Sequence, residues 1–161
     1  NRTLIVIVSI AVSFGGNFAL NPIYVDDYGV LVSENKKLDF DLIESNFPNL
    51  ISENEYVVVC FFTSDCPYCM EASRSFRINN RTASQPKTVI LFPSTEEDAN
   101  NFLRQNGVNF DFGLITDDNF TANAGNRFPS VFLVKNGAVE NHWIGSEINF
   151  SVLDYLRELS R

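Results

Sequence analysis

Residues 57–70 read VVVCFFTSDCPYCM, an apolar run followed by a polar turn and two closely spaced cysteines. The apolar run predicts a buried strand that ends at the polar turn, and the residues from Cys66 onward predict the start of a helix. Pro67 fits the first turn of that helix, where the missing proline N–H costs nothing. The two cysteines, Cys66 and Cys69, therefore belong to a strand-to-helix junction.

This junction suits a reactive thiol. A sulfur in the first helical turn lies among unpaired backbone N–H groups and at the positive end of the helix dipole, and both favour the thiolate. The thiolate is the species that attacks disulfides, so Cys66 is the candidate nucleophile. Cys69 lies one turn later on the same helical face and can close a disulfide with Cys66. The carboxylate of Asp65 opposes thiolate formation because it is adjacent to Cys66.

The composition predicts one globular domain. Of the 161 residues 45% are apolar and 20% are charged, which excludes a disordered chain. The net charge of −8 argues against binding to a phosphate backbone, so we expect no nucleic-acid partner. Three cysteines are too few for a disulfide-stapled scaffold. The third one, Cys60, is expected to be a small buried apolar residue.

The N-terminal segment is strongly apolar. Residues 4–20 read LIVIVSIAVSFGGNFAL and follow Arg2. Three interpretations remain open: a membrane anchor or its remnant, an uncleaved leader, or an extra strand packed on the domain. A basic residue before an anchor would place the downstream domain outside the cytoplasm. We therefore divide the chain into an apolar segment, 1–21, and a domain, 22–161.

Apolar periodicity and turn residues predict the other elements of the domain. They are a hairpin at 23–32, a helix at 38–50, strands at 88–92, 112–115, 131–134 and 138–144, a helix at 95–107 and a final helix around 152–159. Asn136-Gly137 is the strongest hairpin signal. This order predicts an α/β fold with a mixed sheet.

Three sequence stretches carry a resemblance to a known family. They are FFTSDCPYC at 61–69, FPSVFLVKNG at 128–137 and V-x-x-x-W-I-G at 139–145. From Pro22 to Glu158 the chain resembles the thioredoxin superfamily and, within it, the TlpA/ResA-like thiol–disulfide oxidoreductases, which also carry a strand–helix segment like that from Thr88 to Asp117. The resemblance implies a thioredoxin fold, with a central mixed sheet flanked by helices and an N-terminal β-hairpin extension.

The same resemblance implies a function and a site. Cys66 would attack a protein disulfide and Cys69 would resolve the mixed disulfide, without metal or cofactor. Phe128 and Pro129 would be joined by a cis peptide bond and would pair with an extended substrate beside Cys66. The implied substrate contacts are Pro67, Tyr68, Phe128 and Pro129. The implied partners are protein disulfides or dithiols and a membrane thiol electron donor, and the implied location is extracytoplasmic, in the periplasm or secreted.

The chain also departs from this pattern. Thioredoxins have a buried acid six residues before the first cysteine, where this chain has Cys60. Four alternatives therefore stay open. The cysteines could form a zinc site with Cys60 and His142, or His142 could bind copper. Thr63-x-x-Cys66 resembles the peroxidatic element of peroxiredoxins. The domain could also be a redox-silent interaction module at a membrane.

Overall fold

The computed structural model describes residues 38–51, 54–82 and 85–159. The apolar segment at 4–20, the hairpin at 23–32 and the domain boundary after residue 21 lie outside these ranges, so they stay predictions. Within the described ranges, no helix combines the length and the apolar composition needed to cross a bilayer.

The described elements alternate between helices and strands. In chain order they are α1 Phe40–Asn46, β1 Tyr56–Phe61, α2 Pro67–Thr82, β2 Lys87–Phe92, α3 Glu96–Asn106, β3 Asp111–Leu114, α4 Asp117–Ala124, β4 Ser130–Lys135, β5 Ala138–Ile144, a 3-10 turn Gly145–Glu147 and α5 Phe150–Glu158.

The five strands form one mixed sheet in the order β3-β2-β1-β4-β5. The strands β1, β2 and β3 are parallel, whereas β4 is antiparallel to both β1 and β5. Phe61 at the end of β1 pairs with Ser130 at the start of β4. The end of β1 and the start of β4 therefore lie side by side at the same end of the sheet. The loop that leads to the cysteines and the residues before Ser130 both meet there.

Two apolar layers cover the sheet, because successive strand residues point to opposite faces. On one face Cys60 joins a core cluster that contains residues of α2, α3 and α5. On the other face Phe61 joins a cluster that contains residues of α1 and α4. The interior strand β2 is covered on both faces, as its continuous apolar run predicts, since Thr88 to Phe92 are all buried.

The helix α4 was missed by the sequence analysis, which placed no helix between the strand at 112–115 and Arg127. Thr116 caps it by accepting a hydrogen bond from the Asn119 N–H, and Asp117 and Asp118 occupy its first turn. Those residues form a typical helix start. The helix has only two buried apolar residues, Phe120 and Ala124, so it has little of the periodicity that predicts a helix.

The predicted helix at 38–50 is shorter in the structure. It starts after Asp39, whose side chain accepts the Leu42 N–H, and it ends at Asn46. Leu38 and Leu50 are buried but lie outside the helix. Apolar residues that pack the flanking turns extended the apparent helical pattern beyond the helix itself.

Candidate dithiol site

Cys66 occupies the N-cap position of α2. Its carbonyl accepts the Met70 N–H at 3.1 Å, which is the first hydrogen bond of the helix. Its sulfur accepts the Cys69 N–H at 3.1 Å, so the thiol satisfies one of the backbone donors that a helix start leaves unpaired. This hydrogen bond fixes the Cys66 sulfur at the start of α2.

The two thiols of the pair differ in access. Cys66 is half-buried, whereas Cys69 is completely buried. Burial raises the pKa of the Cys69 thiol well above its usual value, the hydrogen bond with Cys66 raises it further, and a backbone hydrogen bond from Thr63 acts in the opposite direction. An incoming disulfide can therefore reach Cys66, while Cys69 stays protected and protonated behind it.

Thr63 contributes to the site through its backbone, a role that the sequence analysis did not assign. Its carbonyl accepts the Cys66 N–H at 3.4 Å, and its backbone also hydrogen-bonds Cys69. The position of Thr63 in the turn between β1 and α2 is the only sequence signal for this role. The hydrogen bonds hold both cysteines to the end of the sheet.

Cys60 is completely buried in the same core cluster as Cys69, which confirms the prediction of a small buried apolar residue. Burial raises the pKa of the Cys60 thiol far above its usual value. Cys60, Cys66 and Cys69 are all free thiols in the structure. Cys60 thus supplies neither a charge nor a proton acceptor beneath the pair at neutral pH.

The other predicted contacts lie at the same end of the molecule. Pro67 and Tyr68, in the first turn of α2, are exposed. The Phe128–Pro129 peptide bond is cis, the isomer that the resemblance implies. Pro129 is buried and its carbonyl accepts the Gly145 N–H at 2.7 Å. Phe128 is half-buried, with its ring 5.0 Å from that of Phe120.

His142 lies away from the cysteines. Its Nε2 is 2.8 Å from Ser130 Oγ, and its ring stacks on Phe132 with centroids 4.0 Å apart. Phe132 belongs to the core cluster on the face opposite Cys60, so the sheet separates the histidine from the thiols. The zinc set of cysteines and His142 is therefore wrong. Nowhere in the described ranges do three or more histidine, cysteine or acidic side chains form a group that could hold a metal.

Solved structures with the same architecture share little sequence with this chain. The thioredoxin domain of a thiol-disulfide oxidoreductase from Bacteroides vulgatus has a TM-score of 0.53 at 16% identity, over 65% of this chain and 81% of that one. StoA from Bacillus subtilis has a TM-score of 0.51 at 20% identity, over 68% of this chain and 85% of StoA. A secreted disulfide oxidoreductase from Mycobacterium tuberculosis, homologous to E. coli DsbE, has a TM-score of 0.52 at 16% identity, over 66% of this chain and 81% of that one.

The sequence matches no protein-family model and no curated protein. The structural similarity, together with the mixed five-stranded sheet and the helices on both of its faces, shows that the chain has a thioredoxin fold. The fold class predicted from the sequence is confirmed for the described residues.

Proposed function

We propose that this protein is a thiol–disulfide oxidoreductase that exchanges disulfides with protein substrates through Cys66 and Cys69. One observation carries the proposal: the half-buried sulfur of Cys66 caps α2 and accepts the N–H of Cys69, whose own thiol is buried behind it. A sulfur that an incoming disulfide can reach and a protected partner thiol three residues later are the two parts that the reaction needs.

In the first step the Cys66 thiolate attacks one sulfur of a substrate disulfide. A bond forms between Cys66 and that sulfur, the substrate S–S bond breaks, and the second substrate sulfur leaves as a thiolate that takes a proton from water. The Cys69 N–H and the start of α2 stabilise the attacking sulfur. This step needs access to Cys66 alone.

In the second step Cys69 loses its proton and attacks the sulfur of Cys66. The intramolecular disulfide forms, and the remaining substrate sulfur is released as a thiolate, so the substrate gains two electrons and the protein is oxidised. In the described part of the chain the buried polar side chains are those of serine, threonine and asparagine, so water takes this proton in place of a buried carboxylate. Because burial raises the pKa of Cys69, we expect the second step to become faster as the pH rises.

The substrate backbone would bind beside Cys66 at Phe128. Among the described residues, none forms a backbone hydrogen bond with Phe128. An extended substrate segment can use these free groups as an added strand. This contact would hold the substrate disulfide in place through its backbone and would not depend on the side chains of the substrate.

Two features favour an extracytoplasmic location. One of the similar structures is described as secreted, and Arg2 precedes the apolar segment at 4–20. A reductase in an oxidising compartment requires a supply of electrons. A membrane thiol carrier that reduces the Cys66–Cys69 disulfide would complete the cycle.

Trapping of the mixed disulfide tests the proposal. Cys69→Ser should accumulate a covalent complex with a disulfide-bonded model protein such as insulin, because the first step proceeds and the second cannot. Cys66→Ser should form no complex, and Cys60→Ser, the matched control, should turn over like the wild type. Complexes are counted on non-reducing gels and located by mass spectrometry.

Equal turnover by Cys66→Ser and the wild type would refute the proposal. Loss of hydrogen peroxide reduction in Cys66→Ser, with no disulfide exchange by the wild type, would instead favour a peroxidase. If no variant differs from the wild type in either reaction, the domain is a redox-silent interaction module.

A further inference from the structure

A groove of about 250 Å³ runs between α2 and the start of α5, next to the cysteines. It begins at Tyr68, which lies between Cys66 and Cys69 in the chain. Its lining residues come from one face of α2, from the turn after β5 and from the first turns of α5, and they include Tyr68, Glu71 and Phe150.

Two aromatic side chains at this groove are unusually exposed. Tyr68 is 61% exposed, and Phe150 is 82% exposed, although it is an apolar residue in the first turn of α5. Asn149 caps that helix, so Phe150 is not needed to start it. An exposed apolar pair at the rim of a groove adjoining a reactive thiol is typical of a binding surface.

The charge of the groove is one-sided. Among the described residues that line it, Glu71 is the only charged one. Nearby in the chain two further acids are exposed, Asp65 and Glu147, together with one cation, Arg74, which lies one turn after Glu71 on α2. The whole chain carries a net charge of −8. The groove therefore complements a segment that carries an apolar side chain and a positive charge, and it disfavours an acidic one.

We infer that the groove between Tyr68 and Phe150 binds an aromatic or large aliphatic side chain of the substrate, close in sequence to its disulfide, with a lysine or arginine beside it that faces Glu71. This inference rests on the proposed function and adds a substrate class to it: protein segments that carry an apolar and a basic side chain beside the disulfide. Phe150 would then be a residue that determines specificity, and the Phe128 backbone would hold the substrate on the other side of Cys66.

The expected selectivity follows from burial. Packing a large apolar side chain against Phe150 removes it from water and should improve kcat/KM by roughly tenfold. Complete burial of such a side chain strengthens a complex by slightly more than a factor of ten in its binding constant. An exposed ion pair with Glu71 should add about a factor of two to five.

The test uses matched peptides of equal length, each with one cysteine in a mixed disulfide with a small reporter thiol. One carries phenylalanine and lysine near the cysteine, one alanine and lysine, and one phenylalanine and glutamate. Dithiothreitol regenerates the enzyme. Phe150→Ala should remove the roughly tenfold preference for phenylalanine over alanine, and Glu71→Lys should reverse the preference between lysine and glutamate.

Ile78→Ala is the matched control. Ile78 is 59% exposed on the same helix, about 18 Å further along the axis than Cys66, so its removal should leave every preference unchanged. A small aliphatic disulfide without a peptide measures the chemistry itself, and Ile78→Ala should reduce it at the wild-type rate.

The outcomes separate the inference from the proposed function. Reduction of the small disulfide with equal kcat/KM for all three peptides overturns the inference and leaves the oxidoreductase intact. No reduction of either the small disulfide or any peptide overturns both. A dimer of the wild type that Phe150→Ala dissolves on size-exclusion chromatography would show that a second copy fills the groove, and it would also overturn the inference.

Discussion

Replacing Cys60 with alanine should flatten the loss of stability that the reduced protein undergoes in alkaline solution. Cys60 and Cys69 are completely buried, and burial raises the pKa of each thiol above its usual value. In the unfolded chain a cysteine titrates near pH 8.5, about as in a model peptide. Above that pH the unfolded state loses protons that the folded state keeps.

The sign and size of the effect follow from linkage. Each buried thiol contributes stability that is fully present below about pH 8.5 and is lost as the pH rises toward the folded-state pKa, at a limiting slope of about 1.4 kcal/mol per pH unit. Between about pH 9 and 10.5 Cys60 alone should account for a loss of about 2 kcal/mol. Cys60→Ala should therefore lose about 2 kcal/mol less than the wild type over this interval.

Urea denaturation at a series of pH values, in a phosphine reductant, measures the effect. The other titrating groups, Cys69 among them, are common to both proteins and cancel in the difference between the two curves. The cavity left by the substitution lowers the whole curve by about 1 kcal/mol but does not change its slope. Parallel curves for the wild type and Cys60→Ala would refute the burial of a protonated thiol at this position.

Three further predictions concern the helices and the thiol pair. Cys66→Ala should lower the free energy of unfolding of the reduced protein by about 1 kcal/mol, whereas Cys66→Ser should not, because serine can still accept the Cys69 N–H. Equal urea midpoints for the two variants would contradict this. Because burial raises the pKa of Cys69, the mixed disulfide should decay faster as the pH rises from about 7 to 9, by up to about tenfold per pH unit. Quenched-flow alkylation measures this decay, and a rate independent of pH would exclude Cys69 as the resolving thiol. Gly107→Ala should destabilise the protein by about 1 kcal/mol, because Gly107 ends α3 at φ +62°. Gln105→Ala, at an exposed position of the same helix, is the control, and equal thermal midpoints for the wild type and Gly107→Ala would argue against this cap.

The elements with a strong local signal could be predicted from the sequence. Thr95 and Gly107 cap α3 at the two ends of the predicted helix at 95–107, because a hydroxyl before three acids and a glycine after the last apolar residue are local signals. The Asn136-Gly137 turn has φ values of +52° and +71°, as its hairpin requires. The alternation between strands and helices, followed by the antiparallel hairpin, also predicted a mixed sheet.

The features that the sequence analysis did not predict depend on tertiary structure. The helix α4 covers the sheet with little more than Phe120, and a single aromatic residue gives no periodic pattern. The sequence does not predict that Phe150 is exposed at a groove, because a phenylalanine at the start of an amphipathic helix usually packs inward. The distance between Cys60 and His142 along the chain did not reveal that the sheet separates them.

The Cys66–Cys69 pair could be predicted because its chemistry depends on one local junction. What the sequence left open was the difference between the two thiols, which comes from packing: Cys69 faces the core between the sheet and α2, whereas Cys66 precedes the helix and stays accessible. A helical spacing of three residues places both on one face and does not show which is buried.

The central claim is that Cys66 and Cys69 form a reversible disulfide, and a redox titration in defined thiol buffers tests it most directly, with free thiols counted by alkylation and mass spectrometry. The account predicts a single two-electron transition confined to these two residues, with Cys60 reduced throughout. A midpoint near or below about −270 mV would mark a reductase and one near about −120 mV an oxidant. If no Cys66–Cys69 disulfide forms at any potential, the proposed oxidoreductase activity is wrong.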